Sequence, residues 1–168
     1  MTAIFDPMRR IYIGVLVLCL GRMAMAQQQQ TAIAFYNLEN FFDPADDPEK
    51  HDDDFTPEGS HRYTEAVFLQ KAHNMATVLQ GLATERCKAG PALIGVCEVE
   101  NDHALKTLIS QPELQDRHYR FVRFDGPDER GINVALIYRP DQFKVTEARA
   151  LPVNLQFAGG GKTRDILW

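Results

Sequence analysis

The sequence predicts an α/β fold on a mixed sheet, from three patterns. An aromatic-rich strand run, "TAIAFYNL", is followed after an acidic loop by an amphipathic helical stripe, and then by a second apolar strand run, "ALIGVC". Strand, helix, strand, helix is the opening of an α/β arrangement. The second half then changes to short β-rich runs parted by turn residues, which predicts antiparallel strands.

The first 26 residues stand apart. Arg9 and Arg10 precede the short apolar run "IYIGVLVLCL", and "AMA" at 24–26 precedes four glutamines. A basic start, a short apolar stretch and an A-x-A site predict a secretory signal peptide cleaved after Ala26, leaving a domain over 27–168. The apolar run is too short for a transmembrane helix. Cys19 is preceded by Leu18, which is not the small residue a lipoprotein signal wants. The destination is the periplasm or the exterior, with no membrane contact after cleavage.

The first strand is expected over Ala32 to Leu38. "DPADDPEKHDDDFTPEG" follows, with three prolines and no apolar period, and is expected as a solvated loop. Its carboxylates lack the D-x-[DN]-x-[DN]-G spacing of an EF-hand. From Arg62 to Leu82, Phe68, Ala72, Met75, Leu79 and Leu82 recur at spacings of three and four, one face of a helix. The buried strand starts near Ala92. Asn101 and Asp102 are good N-caps for a short helix through Ile109. "HYRFVRF", "INVALIY" and "QFKVTEARAL" predict an antiparallel meander, and "TRDILW" the start of another strand. "GGGKT" at 159–163 lacks the first glycine of a phosphate loop, which would fall at Gln156, and is expected as a flexible loop.

Charge narrows the function. The chain has 18 basic and 23 acidic side chains. Cleavage removes Arg9, Arg10, Arg22 and Asp6, leaving 15 basic and 22 acidic groups and a net charge of −7. Such a protein does not hold nucleic acid by a basic surface, so phosphate binding needs local arginines or a metal. Export would allow Cys87 and Cys97 to pair. Cys97 lies in an apolar strand, however, where a free thiol is a common core residue.

"LIGVCEVEN" ends a buried strand in Glu98 and Glu100, which strand alternation places on one side of the chain. An ionised carboxylate is costly to bury without a partner. Either a cation meets it or the strand has surfaced. A strand-end carboxylate facing a groove suits Mg²⁺, which takes one or two carboxylates and fills its other positions with water and phosphate oxygens. Read without context, the same glutamate is a solvated or salt-bridged residue.

Four motifs in order, "FYNLEN", "IGVCEVEN", "DERGINVALIYRPDQF" and "TRDIL", resemble the endonuclease/exonuclease/phosphatase superfamily. These are metal-dependent phosphodiesterases related to deoxyribonuclease and sphingomyelinase. The resemblance runs from Thr31 to Trp168, and "GVCEVEN" with "ERGINVALIYRP" is similar to the exported bacterial branch. It implies a four-layer α/β/β/α sandwich, of which this chain supplies the N-terminal half: one mixed sheet with outer helices and an apolar sheet face lacking its partner.

The resemblance assigns roles residue by residue. Asn37 and Glu98 are implied as catalytic, Glu98 as the ligand of Mg²⁺ or Mn²⁺, and Arg164 and Arg130 as phosphate-binding. The implied reaction is in-line attack of water on a phosphodiester, nucleic acid being one candidate substrate, with no stable protein partner. The metal neutralises phosphate charge while Asn37 and Arg164 position and polarise it. The family's general acid/base histidine and its paired aspartate match nothing here, since His51, His61, His73, His103 and His118 sit in no matching motif. The resemblance therefore reads the chain as an N-terminal portion that stops at Trp168, inactive as it stands. Two other readings are carried with it: a phosphatase of lipid or small-molecule phosphoesters, and a non-catalytic fragment or binding module. Asn37 as a turn cap, Arg130 paired with Asp128, and Glu100 bound to its own helix end are the plain structural readings of those residues.

Overall fold

The computed structural model describes residues 30–153 and 162–168. The signal-peptide segment, and "GGGKT" up to Gly161, lie outside the described residues. Strand β1 (Ala32–Phe41) runs three residues beyond the expected Leu38. Helix α1 (Glu65–Gly81) then crosses to β2 (Pro91–Val99), which pairs with β1 in parallel. A parallel pair needs such a crossover, so the strand–helix–strand order dictated this pairing.

Helix α1 starts at Thr64, whose hydroxyl accepts from the Val67 N–H at 3.4 Å. Its buried stripe is Phe68, Ala72, Met75, Ala76 and Leu79, the predicted face. Helix α2 (Asp102–Ile109) is capped by Asn101, which accepts from the Ala104 N–H at 3.0 Å. Glu100 therefore does not cap it. A further short helix, α3 (Pro112–Gln115), was not anticipated. Pro112 stands in its first turn, where a missing N–H costs nothing.

Strands β3 (Arg120–Arg123) and β4 (Asn133–Tyr138) are antiparallel, and β4 is antiparallel to β2. The sheet order is β1-β2-β4-β3, a mixed sheet as predicted. The third member of the expected meander does not join it. Gln142 and Phe143 N–H groups turn back onto the Arg139 carbonyl. The alternation of Phe143, Lys144, Val145 and Thr146 also stops at Glu147. Within this run Ala150–Leu151 forms strand β5, which pairs with β6 (Ile166–Leu167) in a separate ribbon.

One face of the sheet is closed by the helices. Ile94, Val96, Ala135 and Ile137 from the strands meet Phe68, Leu79, Leu105, Leu108 and Leu114 in one core. Phe41 and Phe68 stack at 5.2 Å between centroids. The other face carries Ile33 and Phe35, 62% and 84% exposed, and beside them Leu93, Cys97, Val134 and Leu136. Phe35 lies so close over Gly95 that a Cβ there would stand 2.6 Å from the ring. The β5–β6 ribbon borders this face and forms with it an apolar groove of about 760 Å³, reaching Phe143 and Trp168. Cys87 and Cys97 are not joined by a disulfide. No helix among the described residues is long and apolar enough to cross a membrane.

The acidic segment departs most from expectation. It is ordered by turns and a 3₁₀ turn at Asp53–Phe55. Asp43, Asp52 and Thr56 are buried in it rather than solvated. The apolar residues within it explain this: Phe55 stacks on Phe42 at 4.2 Å and meets the Tyr63 ring edge-on, so the loop folds back onto the end of β1. The first test concerns the core. Phe68→Ala removes the ring joining α1 to β1, and urea unfolding should show a loss of about 3–5 kcal/mol. A loss below about 1 kcal/mol would mean that α1 does not pack as described.

Candidate active site at the carboxyl end of β2

Glu98 sits on a bulge. The β2–β4 register jumps from Cys97↔Val134 to Val99↔Asn133, and the β1–β2 register from Asn37↔Cys97 to Phe41↔Val99. Glu98 is the extra residue, with φ 63°, and facing it Glu39 and Asn40 have φ 52° and 57°. Left-handed backbone at a non-glycine residue costs on the order of 1–2 kcal/mol, so three such residues in one place form a strained and well-restrained spot. The inversion breaks the strand alternation that would have put Glu98 and Glu100 side by side.

The Asn40 N–H donates to Glu98 Oε2 at 3.2 Å. Arg164 Nη1 stands 3.7 Å from Glu98 Oε1, with both side chains about one quarter exposed. Arg164 comes from the residues just before β6, so the ribbon brings the guanidinium to the strand end. Arg164 Nη1 and Asp165 Oδ1 are buried without a hydrogen-bond partner. Cys97 lies between these charges and the open sheet face. Burial pushes its thiol up, Arg164 opposes that, and Glu98 adds to it.

Asn37 is exposed, opposite Cys97 in the register, and its Oδ1 accepts from the Glu39 N–H at 2.7 Å. It caps a turn, and its Nδ2 hydrogens remain as the donors available to a ligand. Arg130 forks onto Asp128, with Nε–Oδ1 at 3.2 Å and Nη2–Oδ2 at 3.1 Å. That bond holds its guanidinium above its usual range, with burial opposing and Asp128 and Glu98 charges adding. Glu98 and Arg164 are thus brought into contact, Asn37 lies one register step away, and Arg130 is engaged by its own loop.

Glu100 enters a separate buried network. One of its oxygens accepts from the Asp43 N–H at 2.7 Å, and Asn101 Nδ2 donates to Asp43 Oδ2 at 2.7 Å. Tyr63 and Asp52 are buried nearby, each with an oxygen lacking a hydrogen-bond partner. Among the described residues no ion pair reaches Asp43, Asp52 or Glu100. Protonation lowers the cost of burying such carboxylates together. Burial pushes Glu100 up to about 7; the Asp43 N–H opposes this, and the charges of Asp43, Asp52 and Asp47 add to it. Burial likewise raises Asp52.

The Glu100 carbonyl is held by Asn133 Nδ2 at 2.8 Å and Arg123 Nη1 at 3.2 Å. Asn133 Oδ1 in turn accepts from the Gly126 N–H at 2.7 Å. Asn133 thereby ties the loop before β4 to the end of β2. This residue and Asn40 were not singled out in the sequence, although both lie inside quoted motifs.

Three of the five histidines have ring partners away from Glu98: His73 Nδ1 pairs with Glu113 Oε1 at 2.9 Å, His103 stacks on Phe68, and His61 lies against Phe55. His51 and His118 bond through their backbone N–H groups, to the Glu129 and Gln115 carbonyls. Among the described residues no group of three or more His, Cys, Asp or Glu side chains converges on a common point for a metal. A single carboxylate next to an arginine fits a hard cation that completes its shell with water and phosphate oxygens.

The chain belongs to the Endonuclease/Exonuclease/phosphatase family, whose model matches residues 32–168. Membership places it among nuclease- and phosphodiesterase-like hydrolases, which generally depend on a divalent metal and act on phosphodiesters or nucleic acids. No curated protein and no solved structure matches the chain.

The raised Glu100 sets a pH dependence of stability. Between the usual 4.5 and about 7, the folded state holds a proton that the unfolded state has released. Stability should therefore fall as pH rises through that window, by at most about 1.4 kcal/mol per pH unit. Urea unfolding in chelator at pH 5, 6 and 7 checks this. Glu100→Gln should flatten the slope, and an unchanged slope would assign it to other groups.

Proposed function

We propose that the chain carries the metal- and phosphate-holding part of a divalent-metal-dependent phosphodiester hydrolase of the nuclease type. Glu98 holds Mg²⁺ or Mn²⁺, Arg164 and Asn37 bind the phosphate, and Arg130 is available to it only by leaving Asp128. The observation carrying this reading is the Glu98 bulge, where a carboxylate aimed by a backbone N–H lies 3.7 Å from a guanidinium. When bound, the metal would neutralise phosphate charge and stabilise the leaving oxygen.

The chain's own groups do the rest. The Arg164 guanidinium donates to one phosphate oxygen and balances its charge, and Asn37 Nδ2 donates to another. The Asn40 N–H holds Glu98 Oε2 while Oε1 faces Arg164. These residues account for holding and polarising the phosphate and not for the proton transfer. The formal charge of −5 and the two arginines at hand favour a second reading, a phosphatase of lipid or small-molecule phosphoesters. Those substrates need no basic track.

Substitution separates the two glutamates. Glu98→Gln should abolish Mn²⁺ binding, followed by the paramagnetic resonance of free Mn²⁺. Glu100→Gln should keep Mn²⁺ affinity within a few-fold. Equal losses, or Mn²⁺ binding retained in Glu98→Gln, would reject the assignment.

We also propose that the protein is exported, on the pattern of Arg9, Arg10, the apolar run and "AMA". Intact-mass measurement of secreted material should give Gln27 as the amino terminus. Protein that keeps Met1 inside the cell would overturn this.

A further inference from the structure

The left-handed pair Glu39–Asn40 has a restraint from outside its own strand. Lys71, on α1, sends its ammonium to the end of β1, where it donates to the Glu39 carbonyl at 2.5 Å and the Asn40 carbonyl at 3.0 Å. Two successive residues in this conformation turn their carbonyl oxygens to one side, and a three-donor cation suits them. The same lysine lies 6.0 Å from the Tyr63 ring.

We propose that Lys71 is a positioning residue for Glu98: by tying the Glu39 and Asn40 carbonyls it holds the Asn40 N–H on Glu98 Oε2. This rests on the reading of Glu98 as the metal-holding carboxylate. The chain of contacts is continuous, from Lys71 Nζ through the Asn40 carbonyl and N–H to the carboxylate oxygen. Lys71 is one turn from Phe68, whose stacking on Phe41 fixes where the helix meets the strand. The ammonium is thus delivered by packing rather than by a free surface chain.

Burial pushes the lysine down, with the charges of Glu39 and Glu98 opposing. Holding a cation here therefore has a cost, and the two carbonyl bonds and the nearby carboxylates offset it. Without the ammonium nothing else on α1 reaches these carbonyls through a side-chain hydrogen bond. The strained turn is then free to relax to right-handed backbone, which carries the Asn40 N–H away from Glu98.

The full chain tests this with Lys71→Met, Lys71→Gln and Lys71→Arg beside Glu98→Gln. Two quantities are read: the Kd for Mn²⁺, and the hydrogen-exchange rate of the Asn40 amide by NMR. Lys71→Met should raise the Mn²⁺ Kd by about tenfold, in the range for outer-shell partners of a metal ligand. It should also speed Asn40 exchange, and Lys71→Arg should restore most of both. Lys71→Gln keeps a neutral donor, should fall between, and decides the matter should Lys71→Met not fold. A role in fold stability alone would move the unfolding midpoint and leave Asn40 exchange in the native state unchanged. Unchanged Mn²⁺ affinity and Asn40 exchange on losing Lys71, with Mn²⁺ binding lost in Glu98→Gln, overturns the role of Lys71 and leaves the Glu98 reading standing. Mn²⁺ binding unchanged in Glu98→Gln overturns that reading and this inference with it.

Discussion

A single backbone inversion at Glu98 separates two carboxylates that one strand would otherwise deliver to the same place. With φ at 63°, Glu98 turns to Asn40 and Arg164, while Glu100 passes under the acidic loop to Asp43. Most features of that end of the molecule follow. β1 must bulge opposite the inversion, so Glu39 and Asn40 become left-handed in their turn. The acidic loop must fold back to cover Glu100, and Asn133 must hold the Glu100 carbonyl so that the strand end stays in place. The restraints come from α1, from the loop before β4 and from the segment before β6, three parts of the chain distant in sequence.

The two acidic environments differ in how charge is handled. Around Glu98 the charges are mixed, with Arg164 and Lys71 among them, and the site is partly open. Around Glu100 burial dominates, and the neighbouring carboxylates of Asp43, Asp52 and Asp47 add to it in raising the glutamate. The first environment can exchange a ligand without unfolding. The second answers to pH, because burial of like charges penalises the ionised form.

The fold was legible where periodicity was strong. The α1 stripe from Phe68 to Leu79, the apolar run before Cys97 and the Asn101 cap all stand where the pattern put them. Composition misled in the acidic loop, because Phe55 and Tyr63 outweigh the surrounding carboxylates once they reach Phe42 and Phe68. "QFKVTEARAL" misled through β propensity without a partner, a tertiary matter that local sequence does not carry. At the site, Glu98 and Arg164 could be picked from motif order, and they do meet. Lys71 could not: its role depends on the angle at which α1 crosses the end of β1. Left-handed backbone at Glu39, Asn40 and Glu98 leaves no mark in residue type, since none of them is glycine.

The parallel pairing of β1 with β2 also shapes how the chain comes together. Ala32 pairs with Pro91, and β1 is an edge strand with β2 as its neighbour. Strands β2, β4 and β3 close over shorter stretches of chain, so their ladder can form while β1 is still searching. β1 is made before the others on the ribosome, yet it can dock only after α1 and β2 have followed it out. During that interval Ile33, Phe35 and Tyr36 form an unpaired apolar edge, the kind of segment that other nascent chains capture. Slow synthesis between residues 42 and 99 would lengthen the interval, and a chaperone that binds the 32–41 segment would shorten the exposure.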